Sequence, residues 1–124
     1  MPKKQVKIRW LDEVAKHDYA GAESYLGLLY NKEQVRGMMA KLRKARVKEF
    51  KAKDIFRASR LPLLGAGNSH VQEDEDKIKG GKGLSPLLLV RNEPAGRVVI
   101  ADGYHRLCAI YVFDEDAVIH CQII

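Results

Sequence analysis

The residues best suited to chemistry in this sequence are five consecutive positions, Asp102 to Arg106. They follow an apolar run of strand length, Arg97 to Ala101, and overlap a segment that we expect to be helical, His105 to Phe113. Gly103 lets the backbone approach a ligand closely. The free N–H groups of a first helical turn form a binding site for phosphate. The pattern therefore predicts a phosphate-binding turn at a strand–helix junction.

Three side chains of this turn have distinct chemical roles open to them. Arg106 can add a bidentate, permanently charged contact to phosphate, and His105 can donate to the same oxygens or move a proton near neutral pH. Asp102 could hold Mg²⁺, accept a proton from a hydroxyl, or only cap the helix. Asp102 and His105 are thus the catalytic candidates, and Asp102 is also the metal candidate. The candidates for phosphate binding are Gly103, Tyr104, His105, Arg106 and Ser85.

Two helices precede the segments that would form the sheet. Asp18 is placed to cap the first helix, whose apolar positions are Ala22, Tyr25, Leu26 and Leu29. Asn31 and Gln34 have the spacing of a capping box for the second helix, whose apolar stripe is Val35, Met38, Met39 and Leu42. We expect the two helices to form an antiparallel hairpin over residues 1–44.

The rest of the chain alternates short extended and helical segments. Gln5 to Trp10 is an edge strand or an extended lead-in, Val47 to Ala52 is extended, and Lys53 to Ser59 is a short helix. The acidic run Glu73 to Asp76 is placed where a helix would begin, and negative side chains there interact favourably with the helix dipole. A divalent-metal site is the alternative explanation of this run.

The second half of the chain supplies the expected strands. Pro86 to Val90 and Arg97 to Ala101 are apolar on both faces, which predicts central strands, and Ala117 to Ile124 predicts a further strand. The resulting fold class is α+β, a small mixed sheet with packed helices preceded by the helical hairpin, in a single domain over residues 1–124.

Charge is distributed unevenly along the chain. The formal net charge is +6, but residues 1–60 hold sixteen Lys/Arg against seven Asp/Glu, whereas residues 61–124 hold six against nine. The excess of cations suggests a polyanionic partner, and a solvated helix face is the simpler explanation. If the partner is DNA, the candidate contacts are Lys41, Arg43, Lys44, Arg46 and Lys48.

Composition limits the class of protein. The 124 residues are 46% hydrophobic and 31% charged, which is typical of a globular domain and excludes collagen-like and disordered chains. Two cysteines, Cys108 and Cys121, are too few for a disulfide framework. No apolar run reaches the length of a membrane span, so we expect a cytoplasmic protein without a membrane partner.

Two stretches together resemble a known fold family. "LSPLLLV", Leu84 to Val90, followed by "GRVVIADGYHRLCAI", Gly96 to Ile110, is similar to the ParB/sulfiredoxin-like superfamily, in which a Gly-x-[His/Arg]-Arg turn opens a helix that cradles nucleotide phosphates. The resemblance implies a core over residues 45–124. Residues 1–44 resemble no family and form an N-terminal helical extension.

The branches of this superfamily differ at the turn. Sulfiredoxins carry a catalytic cysteine where this chain has Tyr104, so we do not expect a sulfiredoxin. Partition proteins carry Gly-Glu-Arg-Arg and continue into a helix-turn-helix, so we do not expect a complete partition protein. The turn is more similar to the Asp-Gly-x-His-Arg of free-serine kinases, in which the aspartate serves phosphoryl transfer. Asp102 matches that position, but no glutamate of this chain can be assigned as its partner.

Three functions remain open from the sequence. The first is a nucleotide-phosphate-binding enzyme, a phosphotransferase or phosphohydrolase that binds a nucleotide or other phosphate ligand with Mg²⁺. The second is a ParB-like, DNA-associated or nuclease-like module that uses the basic first half of the chain. The third is a non-catalytic interaction domain whose hairpin pairs with a partner or with a second copy as a homodimer.

Overall fold

A computed structural model describes residues 7–65 and 67–124. These residues form five helices and four strands. The helices are α1 (Lys16–Leu29), α2 (Lys32–Lys44), α3 (Ala52–Ser59), α4 (Ser69–Lys79) and α5 (Tyr104–Phe113), and the strands are β1 (Lys48–Lys51), β2 (Leu87–Asn92), β3 (Arg97–Asp102) and β4 (Val118–Ile123). The fold is therefore α+β, which confirms the fold class expected from the sequence.

The four strands form one mixed sheet in the order β1-β4-β2-β3. β4 pairs antiparallel with β1 and parallel with β2, whereas β2 and β3 form an antiparallel pair with an irregularity between Leu88 and Leu89. β2 is thus a central strand, as expected, but β3 lies at the edge of the sheet. β3 is apolar on both faces because helices cover it on both sides, and this covering, rather than a central position, explains its composition.

Helices pack on both faces of the sheet, because the side chains of β2 alternate between two apolar clusters. Leu87 and Leu89 belong to the cluster that α3, α4 and α5 cover, whereas Leu88 and Val90 belong to the cluster that α1 and α2 cover. The N-terminal helices therefore cover β2 and β3 on one face of the sheet.

Local sequence explains where α2 and α4 begin. The Asn31 side chain accepts a hydrogen bond from the backbone N–H of Gln34 at 2.8 Å, and the Gln34 side chain accepts one from the Asn31 N–H at 3.1 Å, which confirms the capping box. Asn68 caps α4 by accepting from the N–H groups of His70 and Val71. The acidic run consequently lies in the middle of α4, and the expectation that it begins a helix is wrong.

The first helix also differs from its expected form. α1 begins at Lys16, so Asp18 lies within the first turn and its carboxylate does not cap the helix. Ala22 and Leu26 are buried as expected, but Tyr25 and Leu29 are exposed. The expected apolar stripe is therefore narrower than the sequence indicates, because only part of α1 contacts the sheet.

The start of the chain lies partly outside the described residues. Of the segment Gln5 to Trp10, residues 5 and 6 are not described, and Trp10 forms a single parallel bridge with Leu84. The Trp10 ring stacks on His120 with 5.1 Å between the ring centroids. Among the helices that the structure describes, none is long and apolar enough to cross a membrane.

Candidate functional site

The candidate site forms around Gly103, at the junction of β3 and α5. Gly103 has a φ of 105°, a left-handed conformation that favours glycine. A Cβ atom at this position would lie 2.6 Å from Cγ of Leu87, so the packing against β2 also requires glycine. Within the described part of the chain, no side chain caps α5 at Gly103. The backbone N–H groups of the first turn of α5 thus remain available to a ligand.

Arg106 is held by two carboxylates rather than standing free in the site. Its Nη2 atom donates to Oδ2 of Asp102 at 3.1 Å, to Oδ2 of Asp18 at 3.3 Å and to the Pro86 carbonyl at 3.4 Å. The side chains of Arg106 and Asp18 are 15% and 5% exposed, so this charge cluster is largely shielded from water. Asp102 is engaged with Arg106, and the alternative in which it only caps the helix is wrong.

Burial alters the proton affinity of Asp102. Burial raises the pKa of the Asp102 carboxyl above its usual value; Arg106 opposes this rise and the neighbouring Asp18 adds to it. The carboxylate is therefore a stronger base than an exposed aspartate. Its Oδ1 atom faces α1, where it would lie 3.1 Å from a Cβ atom built on Gly21.

Two imidazoles face each other beside this cluster. The rings of His70, in the first turn of α4, and His105, in the first turn of α5, have centroids 4.9 Å apart. Burial and the nearby His70 lower the pKa of His105, although Asp74 opposes this shift. Burial raises the pKa of Asp74, and Arg106 opposes that rise. The starts of α4 and α5 thus place two imidazoles near Asp74, which lies in the middle of α4.

These groups surround a small polar cavity of about 160 Å³. Three of its side chains are acidic and one is a permanent cation. Within residues 7–65 and 67–124, Nε of Arg106 is buried without a hydrogen-bond partner. The cavity is lined by His70, Glu73, Asp74, Asp102, Gly103, His105 and Arg106.

Two residues predicted to bind phosphate lie outside the small cavity. The Ser85 hydroxyl is buried and accepts a hydrogen bond from the backbone N–H of Ala15 at 3.0 Å, which joins the residues before β2 to the residue before α1. Tyr104 lines a second cavity on the other side of the turn, and its hydroxyl donates to the Pro62 carbonyl. Of the predicted site residues, the structure therefore brings together Asp102, Gly103, His105 and Arg106.

The predicted DNA-binding cations lie elsewhere. Lys41, Arg43 and Lys44 are in the last turns of α2, with Arg46 in the loop that follows and Lys48 at the start of β1, and all five are exposed. α2 packs on the face of the sheet opposite α5. These cations therefore belong to a separate surface from the turn at Gly103.

Four residues of the site, Asp18, His70, Glu73 and Asp74, lie outside the turn predicted from the sequence, although Glu73 and Asp74 belong to the acidic run for which a metal site is the alternative. The position of Asp18 predicts a helix cap, and nothing local signals its contact with Arg106, which is 88 positions away. Asp74 carried a usable signal, because it lies between the buried residues Val71 and Ile78 on one side of α4. A carboxylate at helical spacing with apolar residues indicates a buried charge that needs a partner.

The groups that the site offers to a metal ion are carboxylates and imidazoles. Across the described residues, no group of three or more His, Cys, Asp or Glu side chains is arranged to hold one. Mg²⁺ is commonly bound by one or two carboxylates together with substrate phosphates. Asp102 and Asp74 are carboxylates of the cavity wall that fit that mode of binding.

Comparisons with known proteins leave the classification at the level of the fold. No family model matches this chain, and no curated protein or solved structure matches it.

Proposed function

We propose that this protein binds nucleotide phosphates at the start of α5 and acts as a phosphotransferase or phosphohydrolase. The observation that carries the proposal is the uncapped first turn of α5, which borders a small cavity shared by Arg106, His105 and Asp102. Free backbone N–H groups and the positive end of the helix dipole favour phosphate, and a permanent cation adds to both. The resemblance of Gly96 to Ile110 to the ParB/sulfiredoxin-like superfamily, which rests on the sequence motif alone, implies the same ligand.

Charge balance makes Mg²⁺ a part of this proposal. Glu73, Asp74 and Asp102 line the cavity and would repel a phosphate that arrives without a counter-ion. Arg106 offsets part of this charge but is already paired with Asp18 and Asp102. The carboxylates of Asp74 and Asp102 would hold Mg²⁺, which would supply the missing positive charge. We therefore expect nucleotide binding to require Mg²⁺.

Each residue of the turn then has a defined task. The N–H groups of the first turn of α5 orient the phosphate, and the imidazoles of His70 and His105 donate to its oxygens. Asp102, whose pKa is raised by burial, accepts the proton of an attacking hydroxyl or water, or binds the metal ion. Arg106 keeps the Asp102 carboxylate oriented and stabilises its charged form.

The proposal is tested by thermal denaturation with ATP, ADP, CTP and GTP, each with and without Mg²⁺. A ligand at about 100 times its dissociation constant adds about 2.7 kcal/mol of stability, which raises the melting temperature by several degrees. We expect at least one nucleotide to give this shift with Mg²⁺. If none does at millimolar concentration, the proposal is wrong.

A matched pair of variants links the shift to the site. His105→Ala removes a ring that lies 4.9 Å from another imidazole in the cavity, and His120→Ala removes a ring that stacks on Trp10 at 5.1 Å outside the cavity. His105→Ala also loses the ring contact with Tyr104 at 5.7 Å, and His120→Ala also loses a contact with Glu49 at 3.3 Å. We expect only His105→Ala to weaken the nucleotide-induced shift, and an equal effect of both would contradict the assignment.

A second candidate function, DNA binding, is favoured by the exposure of the five cations from Lys41 to Lys48. Among the described residues none of them is in an ion pair, although the guanidinium of Arg43 lies 5.4 Å from the centroid of the Tyr19 ring. The logarithm of the affinity would then fall with the logarithm of the salt concentration, with a slope of about −0.9 per phosphate contacted. The triple variant Lys41→Gln/Arg43→Gln/Lys44→Gln should reduce this slope, and a flat salt response of the wild-type protein would exclude DNA.

A further inference from the structure

A second and larger cavity lies on the other side of the turn. It has a volume of about 440 Å³ and lies between α1 and the segment from Ile100 to His105. Asp102, Gly103 and His105 line both this cavity and the small polar one. A single ligand that bridges the turn could therefore place an anionic group in one cavity and a different group in the other.

The walls of the larger cavity are mostly apolar, which sets the chemistry of that second group. Leu61, Ile100 and Ala101 supply aliphatic surface, while Tyr25 and Tyr104 supply aromatic rings. The hydroxyl of Tyr104 donates to the Pro62 carbonyl, so its ring has a fixed position. Aromatic rings on an apolar wall favour a flat ring system, because stacking requires only a π face on the ligand.

Gly21 determines how much of this cavity is open. A Cβ atom at Gly21 would approach Oδ1 of Asp102 to 3.1 Å, so a larger side chain would enter the space beside the carboxylate. Glycine inside a helix is destabilising relative to alanine. Its presence in the middle of α1 leaves the approach to Asp102 open, whereas a Cβ atom at Gly27 in the same helix would contact nothing within 4 Å.

We propose that the larger cavity binds the nucleoside part of the nucleotide, with Gly21 and Tyr25 of α1 as residues that determine specificity. This inference rests on the proposed function, because the phosphates must occupy the small cavity. The base lies against the tyrosine rings and the sugar lies near Asp102. α1, which belongs to the segment without any family resemblance, thereby supplies one wall of the ligand site.

The experiment compares nucleoside triphosphates with inorganic tripolyphosphate, both with Mg²⁺, by isothermal titration calorimetry. Tripolyphosphate carries the phosphate chain without the nucleoside. Stacking of one base on an aromatic side chain is worth about 1–3 kcal/mol, which corresponds to roughly 5- to 150-fold in affinity. We expect at least one of ATP, CTP, GTP and UTP to bind more tightly than tripolyphosphate by a factor in this range.

Variants of α1 locate the gain in affinity. Gly21→Leu should fill the cavity and so remove the gain in affinity that nucleotides have over tripolyphosphate. The affinity for tripolyphosphate itself should change by no more than about twofold. Gly27→Leu is the matched control on the same helix, and both affinities should be unchanged. Tyr25→Ala provides a second test that does not depend on the folding of Gly21→Leu, and it should weaken nucleotide binding alone.

The outcomes separate the two proposals. If neither nucleotides nor tripolyphosphate bind, the proposed function fails and the inference fails with it. If tripolyphosphate binds as tightly as every nucleotide, the phosphate site stands and the nucleoside site is wrong. Equal weakening of both ligands by Tyr25→Ala would also overturn the role of α1, because it would indicate a general loss of structure.

Discussion

Arg106→Ala tests whether the buried charge cluster organises the site. The substitution leaves the carboxylates of Asp18 and Asp102 without the guanidinium to which both are bonded at 3.1–3.3 Å. Asp18 is 5% exposed, so water cannot replace the lost partner fully. Removing one member of a buried ion pair typically costs about 3–5 kcal/mol, and we expect a loss in this range at neutral pH.

The expected loss is large enough to measure by urea and thermal denaturation. For a chain of this length, 1 kcal/mol corresponds to about 4 °C, so the melting temperature should fall by roughly 12–20 °C. Arg57→Ala is the control, because Arg57 is an exposed helical arginine on α3. Its free energy of unfolding should change by no more than about 0.5 kcal/mol.

A double-mutant cycle identifies the cause of the loss. If unpaired carboxylates are responsible, Arg106→Ala should cost less when Asp18 is already Asn, because one buried negative charge has been removed. The cost should also be smaller at acidic pH than at pH 7, since burial raises the pKa of Asp102 and protonation removes its charge. A loss below about 1 kcal/mol at pH 7, or the same loss in the Asp18→Asn background, would refute the assignment of a coupled charge cluster.

Three further predictions concern local features. The pKa of His105 lies below its ordinary value of 6.5, so the folded state binds fewer protons than the unfolded state just below that pH. The free energy of unfolding should therefore fall as pH drops from about 6.5 to the native pKa. Urea titrations at several pH values should show a smaller fall for His105→Gln. Gly103→Ala should lower the free energy of unfolding by at least about 2 kcal/mol, because of the positive φ and the clash with Leu87. At Gly37 a Cβ atom meets nothing within 4 Å, so denaturation experiments should find Gly37→Ala neutral or stabilising. Asn31→Ala should cost about 1 kcal/mol through loss of the capping box, and an unchanged urea midpoint would contradict that role.

Local patterns in the sequence predicted most of the elements. The capping box at Asn31, the apolar run of β2 and the glycine turn at Gly103 each depend on neighbouring residues, so their spacing is visible in the sequence. The edge position of β3 could not be predicted, because helices on both faces give an edge strand the composition of a central one. The order of strands depends on contacts between distant segments, which short-range patterns do not record.

The candidate site was predictable only in part for the same reason. The sequence shows the polar side chains of the turn from Asp102 to Arg106, because they are neighbours in the chain. It does not show that Arg106 contacts Asp18 of α1 or that His105 contacts His70 of α4. These contacts exist only after three helices have packed around the sheet. The sequence therefore predicted Arg106 as a free ligand of phosphate, whereas the structure pairs it with carboxylates.

The contact between Arg106 and Asp18 also has a consequence for folding. It joins residues that are 88 positions apart, and contacts of such high sequence separation form slowly because a long loop must first close. A ribosome-bound chain that has emerged only as far as α4 holds Asp18 without its arginine. We therefore expect the ligand site to be among the last parts of the molecule to assemble, so that binding competence reports on the completion of folding.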